Sequence, residues 1–166
     1  MSGGLQMPGP LLSLLRIIGF EFPDCDETKM YQMGQEFAQF GRTLEQILGQ
    51  ADNVASQVWG QNSGQDIQAF QNSWGGNDGP QKVLKDAAQA LQLMGTGMSI
   101  FAAIMLALKM AKIQQMVTLA MQIASAIARA PATFGASLAE IPIYQQISQR
   151  IVQMIVNQVL TKLQSA

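Results

Sequence analysis

Nine apolar residues spaced alternately three and four apart constrain the fold more than any other feature of the sequence. They are Met30, Met33, Phe37, Phe40, Leu44, Ile47, Ala51, Val54 and Val58. Such steps return each side chain to one side of an α-helix over four heptads. The spacing therefore predicts a long helix with one apolar seam. No segment of the chain has the competing period of two that is typical of strands.

A second seam with the same spacing follows after a break. It consists of Leu84, Ala87, Leu91, Met94, Met98, Phe101, Met105 and Leu108. The loop-forming residues of Gly75–Pro80 precede it. Two seams of similar length, separated by a break, predict an antiparallel hairpin. We expect Phe37, Phe40, Leu44 and Ile47 to face Leu91, Met94, Met98, Phe101 and Met105, with Phe40 near Met98–Met105.

The expected fold class is all-α: an elongated helical bundle built on this hairpin, with a long apolar second helix and a C-terminal helix. Residues 1–19 are expected to form a flexible leader and a short apolar helix, and residues 20–166 a single helical domain. Within that domain we predict a first long helix at 20–58, a tryptophan hairpin region at 59–80, the long apolar helix at 81–129 and the C-terminal helix at 143–165.

Nothing in the sequence indicates an enzyme. The chain has no His and one Cys, Cys25, so the commonest general base and a thiolate metal cluster are both missing. The carboxylates of Asp24, Asp26 and Glu27 follow Pro23 at a helix start, where capping is their expected role. We predict no catalytic residue, cofactor, metal or small-molecule substrate. The sequence also contains no basic patch with interleaved aromatic residues, so it does not predict nucleic-acid binding.

Membrane contact is an alternative that the sequence leaves open. The 22 residues Ala87–Leu108 carry no charge, and as a helix they would span about 33 Å, close to the thickness of a bilayer core. A second uncharged run, Ile113–Ala128, could form a hairpin with the first, so 87–128 is the candidate membrane segment. Against insertion, Gln89 and Gln92 are costly in lipid. No cleavable signal peptide is evident, which predicts a signal-peptide-independent route for any export.

Several motifs resemble those of a known family when taken in order along the chain. Phe22-Pro23-Asp24-Cys25-Asp26-Glu27 resembles a Trp-Pro-x-x-Asp-Glu opening, and a long helix, a Trp-x-Gly turn, an Ala-Phe pair and another Trp then follow. The matching turn residues are Trp59, Gly60, Gly64, Ala69, Phe70 and Trp74. The chain thus resembles the WXG-like N-terminal domain of actinobacterial polymorphic toxins, of the channel-toxin type associated with type VII secretion.

The sequence departs from that pattern at three places. Phe22 stands where the family has Trp, and the glycine that matches the turn is Gly64, although Gly60 directly follows Trp59. The family's tyrosine-plus-acid export signal is missing, since Gln35 follows Tyr31 by four residues and Ser148 follows Tyr144.

The resemblance implies a non-enzymatic targeting and partner-docking domain of a type VII secretion substrate, which would be the N-terminal part of a toxin. The implied partner is a small WXG-type helical protein or a second copy of the chain. The implied location is outside the cell or on its surface after export, and the cytoplasm before it. The alternatives are a pore-forming or membrane-inserting helical protein and a structural subunit of a larger assembly.

Overall fold

The computed structural model of the chain describes residues 3–165, and it confirms the all-α prediction. The helices are α1 (Gly9–Ile17), α2 (Glu27–Gln61), α3 (Gln65–Gly75), α4 (Pro80–Arg129) and α5 (Glu140–Ser165), with a 3-10 turn at Ala136–Ala139. The described residues contain no strand. The chain divides into two compact units: unit 1 combines Met1–Lys29 with Phe101–Ala166, and unit 2 is Met30–Ile100.

The core of unit 1 lies among α1, the second part of α4 and α5. Its buried side chains are Met7, Leu15, Ile18, Met116, Leu119 and Val152, and half-buried residues such as Phe20, Phe22, Ile113 and Tyr144 pack around them. The short α1 covers the apolar stretch that the sequence predicts, and it ends before Gly19, whose φ is +83°. Large aliphatic side chains therefore hold this unit together.

The segment before α1 is fixed in place, although the sequence predicts a flexible leader there. The backbone N–H of Gly3 donates to Asp26 Oδ2 at 2.7 Å, and that of Leu5 donates to Glu27 Oε1 at 2.5 Å. Met7 then enters the core of unit 1. Carboxylates at the start of α2 thus satisfy backbone donors of the N-terminal segment.

Helix α2 begins at Glu27, seven residues after the predicted start at position 20, because Asp26 caps it. The Asp26 Oδ1 atom accepts the backbone N–H of Lys29 at 3.0 Å, as expected of an N-cap side chain. Helix α5 begins at Glu140, before the predicted start at 143. Pro142 lies in its first turn, where the missing N–H costs no helical hydrogen bond.

Unit 2 is an antiparallel hairpin of α2 and the first part of α4, with α3 in the connection. Contacts between the two long helices pair residues early in α2 with residues late in this part of α4: Gly34 lies against Gly95, and Gly41 lies against Ala88. Near the connection, Asp52 contacts Gln81. The two helices therefore run in opposite directions, as the two seams predict.

Candidate partner-docking surface

The contact between α2 and α4 in unit 2 is made by a stripe of mostly small residues. On α2 the buried residues recur every seven positions, at Gly34, Gly41, Leu48 and Ala55. On α4 the buried residues Ala88 and Gly95 have the same spacing. A repeat of seven keeps a stripe facing its partner helix along its whole length. The helices thus meet beside the apolar seams and not on them.

The two backbones approach so closely that no β-carbon fits at the glycines. A Cβ at Gly34 would lie 2.7 Å from the Gly95 carbonyl oxygen, and one at Gly41 would lie 2.6 Å from the Ala88 carbonyl oxygen. A Cβ at Gly95 would collide with the Gly34 carbonyl oxygen. By contrast, a Cβ at Gly49 meets nothing within 4 Å. Close approach therefore explains three of the helix-weakening glycines and leaves Gly49 without a packing role.

This contact corrects the predicted register of the hairpin. Gly41 lies beside Ala88 and Gln92, and Gln92 Nε2 donates to Glu45 Oε2 at 3.1 Å. Phe40, next to Gly41 in the chain, therefore lies level with this part of α4 and not near Met98–Met105. The prediction failed because it matched large apolar residues to each other, whereas the helices pair through their smallest ones.

As a result, much of the predicted α2 seam is open to solvent. Every second member is exposed: Met33 by 48%, Phe40 by 59%, Ile47 by 54% and Val54 by 62%. The members between them, Phe37, Leu44 and Ala51, are half-buried. The prediction that Phe40 and Ile47 lie in the interface between the two helices is therefore wrong. A folded chain normally leaves no apolar row of this length uncovered.

The seam of α4 lies on the same side of the hairpin. Leu91 follows Ala88 by three residues, as Phe37 follows Gly34, and Met94 precedes Gly95 by one, as Phe40 precedes Gly41. In an antiparallel pair, equal offsets from the contact stripe put side chains on one side of the pair. Leu84, Ala87, Leu91 and Met98 are half-buried and Met94 is exposed. Phe101 and Met105, both half-buried, belong to unit 1.

We call the combined apolar side of unit 2 the docking surface. It consists of Met33, Phe37, Phe40, Leu44, Ile47, Ala51, Val54 and Val58 from α2 and Leu84, Ala87, Leu91, Met94 and Met98 from α4.

Aromatic residues at the connection extend this surface. The Phe70 ring lies between those of Trp59 and Trp74, with centroid distances of 5.7 and 6.3 Å. An open apolar groove is lined by Val54, Val58, Phe70 and Trp74, together with Ile47, Gln50, Ala51 and Ala55. The structure thus brings together three of the predicted turn residues, and it places Phe70 and Trp74 at one end of the α2 seam.

The Asp52 carboxylate ties this connection to α2. It accepts the indole N–H of Trp74 at 2.7 Å through Oδ1 and the side-chain amide of Gln81 at 3.0 Å through Oδ2. Hydrogen bonds to a charged acceptor are stronger than those between neutral groups. Asp52 therefore fixes the orientation of α3 and the start of α4 against α2.

Gly60 and Gly64, the two glycines of the predicted turn, have different roles. Gly60 lies within α2, and a Cβ there would meet nothing within 4 Å. Gly64 has a φ of +137° at the N-cap of α3, a conformation that favours glycine. The chain thus turns at Gly64, the glycine that matches the Trp-x-Gly position.

The family known as WXG100 like domain matches residues 7–151. The chain belongs to this WXG100-like family. Membership relates the chain to helical proteins of type VII secretion. Members of the WXG100-like family typically form helical-hairpin dimers. No curated protein and no solved structure matches the chain.

A buried ion pair lies within unit 1 of this WXG100-like domain. Lys109 Nζ lies 2.6 Å from Glu27 Oε2, and the two side chains are 1% and 5% exposed. The Lys109 ammonium also donates to the Cys25 carbonyl oxygen and lies 5.5 Å from the centre of the Phe22 ring. Burial alone would raise the pKa of Glu27, but the hydrogen bonds from Lys109 and the backbone of Leu5 outweigh it and lower the pKa. The Glu27 carboxyl group is therefore ionised at neutral pH.

The predicted helix-start residues thus divide into different roles. Glu27 holds Lys109, and Asp26 caps α2, where the backbone N–H of Lys29 lowers its pKa. Pro23 and Asp24 line a small open pocket in unit 1 with Arg16 and Glu21.

Lys112 is also buried in unit 1. Its ammonium group donates to the Glu21 carbonyl oxygen at 2.7 Å, and burial lowers the pKa of Lys112. Among the described residues, no group of three His, Cys, Asp or Glu side chains could hold a metal.

Sequence reasoning missed Asp52, Gln81 and Lys109 as structural anchors. Asp52 and Gln81 carry no signal in a single sequence, because a polar residue beside a seam is ordinary. Lys109 did carry one, since it is the one charged residue between Ala87 and Ala111 of an otherwise apolar helix. A cation at such a position needs an acid, and the acid cluster at the start of α2 could have been proposed as its source.

Proposed function

We propose that this chain is a non-enzymatic targeting and docking domain of a type VII secretion substrate, and that it binds a helical partner along the docking surface. The observation that carries the proposal is the exposure of Met33, Phe40, Ile47 and Val54 in one heptad row. An apolar row of this length on a folded chain marks an interaction site. Family membership supports a helical partner, because related domains form hairpin dimers.

The chemistry of the row favours a helix as its occupant. Side chains spaced three and four apart accept the knobs of a second helix with the same repeat. A helix also brings no unpaired backbone donors or acceptors to an apolar surface. The partner is a small WXG-type helical protein or a second copy of this chain.

The finer parts of the proposal rest on the resemblance. Pro23, Asp26 and Glu27 at the start of α2 and Trp59, Gly64, Phe70 and Trp74 at the connection support an N-terminal domain of a polymorphic toxin. On this view the domain docks its partner in the cytoplasm and leaves the cell without a signal peptide.

Paired substitutions at neighbouring positions test the docking surface. Ile47→Glu places a charge in the row, whereas Gln46→Glu makes the same charge change at the adjacent exposed position outside it. Each variant is co-expressed with the small helical proteins encoded beside the chain, and complexes are measured by affinity capture and light scattering. We expect Ile47→Glu to weaken association by about a hundredfold and Gln46→Glu to leave it unchanged.

Two outcomes contradict docking. One is a monodisperse monomer that binds neither a neighbouring helical protein nor a second copy. The other is a complex that survives Ile47→Glu, Phe40→Glu and Val54→Glu equally well. Circular dichroism of each variant separates lost docking from lost folding, since the substituted side chains are largely exposed.

A second candidate function, membrane insertion or pore formation, is favoured by one observation. The segment Gln65–Arg129, which comprises α3 and α4, is long and apolar enough by length and composition to cross a membrane, and only 17% of its most apolar 18-residue window is buried. Lys109 and Lys112, which separate the uncharged runs Ala87–Leu108 and Ile113–Ala128, are buried against acceptors within unit 1. Dye release from liposomes by the wild-type chain would support this candidate, and intact liposomes at saturating protein would argue against it.

A further inference from the structure

The connection between α4 and α5 ends unit 1 in an uncharged, apolar tip. Residues 130–139 have the sequence APATFGASLA. The Phe134 side chain is 100% exposed, and its backbone has a φ of +51°. Positive φ is unusual for a bulky residue, and an outlier of this kind points to a functional role. Ile127, Leu138 and Ile143 are also exposed at this end.

Most backbone N–H groups of the tip are bonded within the chain, although none of the turn hydrogen bonds involves those of Ala132 and Phe134. The N–H of Thr133 donates to the Arg129 carbonyl, that of Gly135 to Ala130, that of Ala136 to Thr133 and that of Leu138 to Gly135. The Ser137 hydroxyl donates to the Ala126 carbonyl at 2.7 Å, and the Thr133 hydroxyl lies 3.0 Å from that of Ser137. A loop closed on itself in this way needs few hydrogen bonds from a partner.

The charges nearest the tip neutralise each other. Arg129 Nη2 lies 2.6 Å from Glu140 Oε2, so the end of α4 and the start of α5 are paired. The Tyr144 hydroxyl donates to the same Glu140 oxygen at 2.6 Å. No other charged residue occurs between Ile113 and Gln149. The tip therefore brings no unpaired charge with it into an apolar medium.

We propose that this tip inserts Phe134 into the interfacial region of a lipid bilayer, with Arg129, Glu140 and Tyr144 at the level of the headgroups. Hydrocarbon accepts only backbone whose polar groups are already bonded, a demand that an aqueous protein partner does not make. The tip meets most of this demand, and the interfacial region can hydrate the N–H groups of Ala132 and Phe134. A tyrosine beside a neutral ion pair also suits the membrane–water interface. The proposal concerns unit 1 alone and does not depend on docking by unit 2.

Attraction to the membrane is apolar, because the tip has no cluster of Lys or Arg. Binding should therefore be similar for zwitterionic and anionic vesicles and should persist at high salt.

Flotation of the full chain with phosphatidylcholine vesicles tests the proposal. We expect Phe134→Asp to lower the vesicle-bound fraction about tenfold to a hundredfold, since a buried Phe ring is replaced by a charge. Met154→Asp is the matched control: Met154 is also an exposed apolar residue of unit 1, on α5 and outside the tip. Both variants should melt like the parent chain, because neither side chain is buried.

A probe at the tip gives an independent readout. In a Cys25→Ser background, an environment-sensitive dye on Phe134→Cys should shift to the blue with vesicles and be quenched by spin-labelled acyl chains, whereas the dye on Met154→Cys should not. The proposal is overturned if the wild-type chain does not float with any vesicle, or if Phe134→Asp and Met154→Asp float equally. It is also overturned if vesicles leave the emission of the dye at position 134 unchanged and only a protein partner shifts it.

Discussion

The two units use α4 in opposite ways. In unit 2 the helix meets α2 through glycine and alanine, so the backbones touch and the large apolar side chains remain at the sides. In unit 1 the same helix contributes Met116 and Leu119 to a core of large side chains, and Lys109 forms a buried ion pair. Contact through small residues leaves the large side chains of the seams outside the helix pair, whereas contact through large residues uses some of them within the chain. This difference explains why α2 exposes its apolar side chains in one unbroken heptad row in unit 2.

The largest expected effect comes from breaking the ion pair of unit 1. Glu27→Ala leaves the Lys109 ammonium buried without its carboxylate, and removing one partner of such a pair costs about 3–5 kcal/mol. Chemical unfolding followed by circular dichroism measures the loss. The double variant Glu27→Leu with Lys109→Met should recover most of it, because no buried charge remains.

An exposed pair serves as the control for this variant. Lys82 and Asp86 form a surface ion pair at 2.8 Å, and Asp86→Ala should cost less than about 1 kcal/mol. Equal losses for Glu27→Ala and Asp86→Ala would show that the Glu27–Lys109 pair is not buried in solution.

The backbone contact of unit 2 predicts opposite signs for two identical substitutions. Gly41→Ala puts a methyl group 2.6 Å from the Ala88 carbonyl oxygen, so the helices must separate, at a cost of about 1–3 kcal/mol. Gly49→Ala meets open space and should stabilise α2 by about 1 kcal/mol through helix propensity alone. Urea unfolding of each variant would measure both changes in the free energy of unfolding. If both substitutions stabilise the chain, the helices do not pack through this stripe.

The connection of unit 2 gives a smaller effect. Trp74→Phe keeps an aromatic ring but removes the N–H that Asp52 accepts, which should cost about 1–2 kcal/mol. Trp59→Phe is the control, because no hydrogen bond of the Trp59 indole is found in the described structure. Melting temperatures compare the two. If both variants melt together, the bond to Asp52 contributes nothing and ring contacts alone hold the connection.

The smallest expected effect is a change in how steeply the stability of the fold declines with falling pH in the acid range. The folded-state pKa of Glu27 lies below its ordinary value of 4.5, so its contribution is present above that value and is lost as the pH falls through the lowered pKa. Glu27→Gln should therefore flatten the decline of the urea midpoint below about pH 4.5. Some slope should remain, since Asp26 and Glu140 also have lowered pKa values. An unchanged slope would mean that other carboxylates dominate acid unfolding.

The fold followed from the sequence wherever large apolar residues defined a period. The seam from Met30 to Val58 predicted α2, and the seam from Leu84 predicted the antiparallel hairpin. The contact stripe did not follow, because glycine adds nothing to an apolar pattern and Gly34, Gly41 and Gly49 look alike in the chain. Only coordinates distinguish the two that touch α4 from the one that does not. The exposure of Phe134 was equally hidden, since backbone geometry sets the direction of that side chain.

Sulfur in the docking surface gives the surface a chemical sensitivity of its own. Met33 and Met94 present exposed thioethers there. Peroxide converts a methionine side chain to a polar sulfoxide, and the conversion depends on access to the sulfur. A free chain is therefore open to oxidation at these two residues, and a docked chain is shielded. Sulfoxide formation at Met33 and Met94, followed by mass spectrometry, would thus record the fraction of chains that are docked.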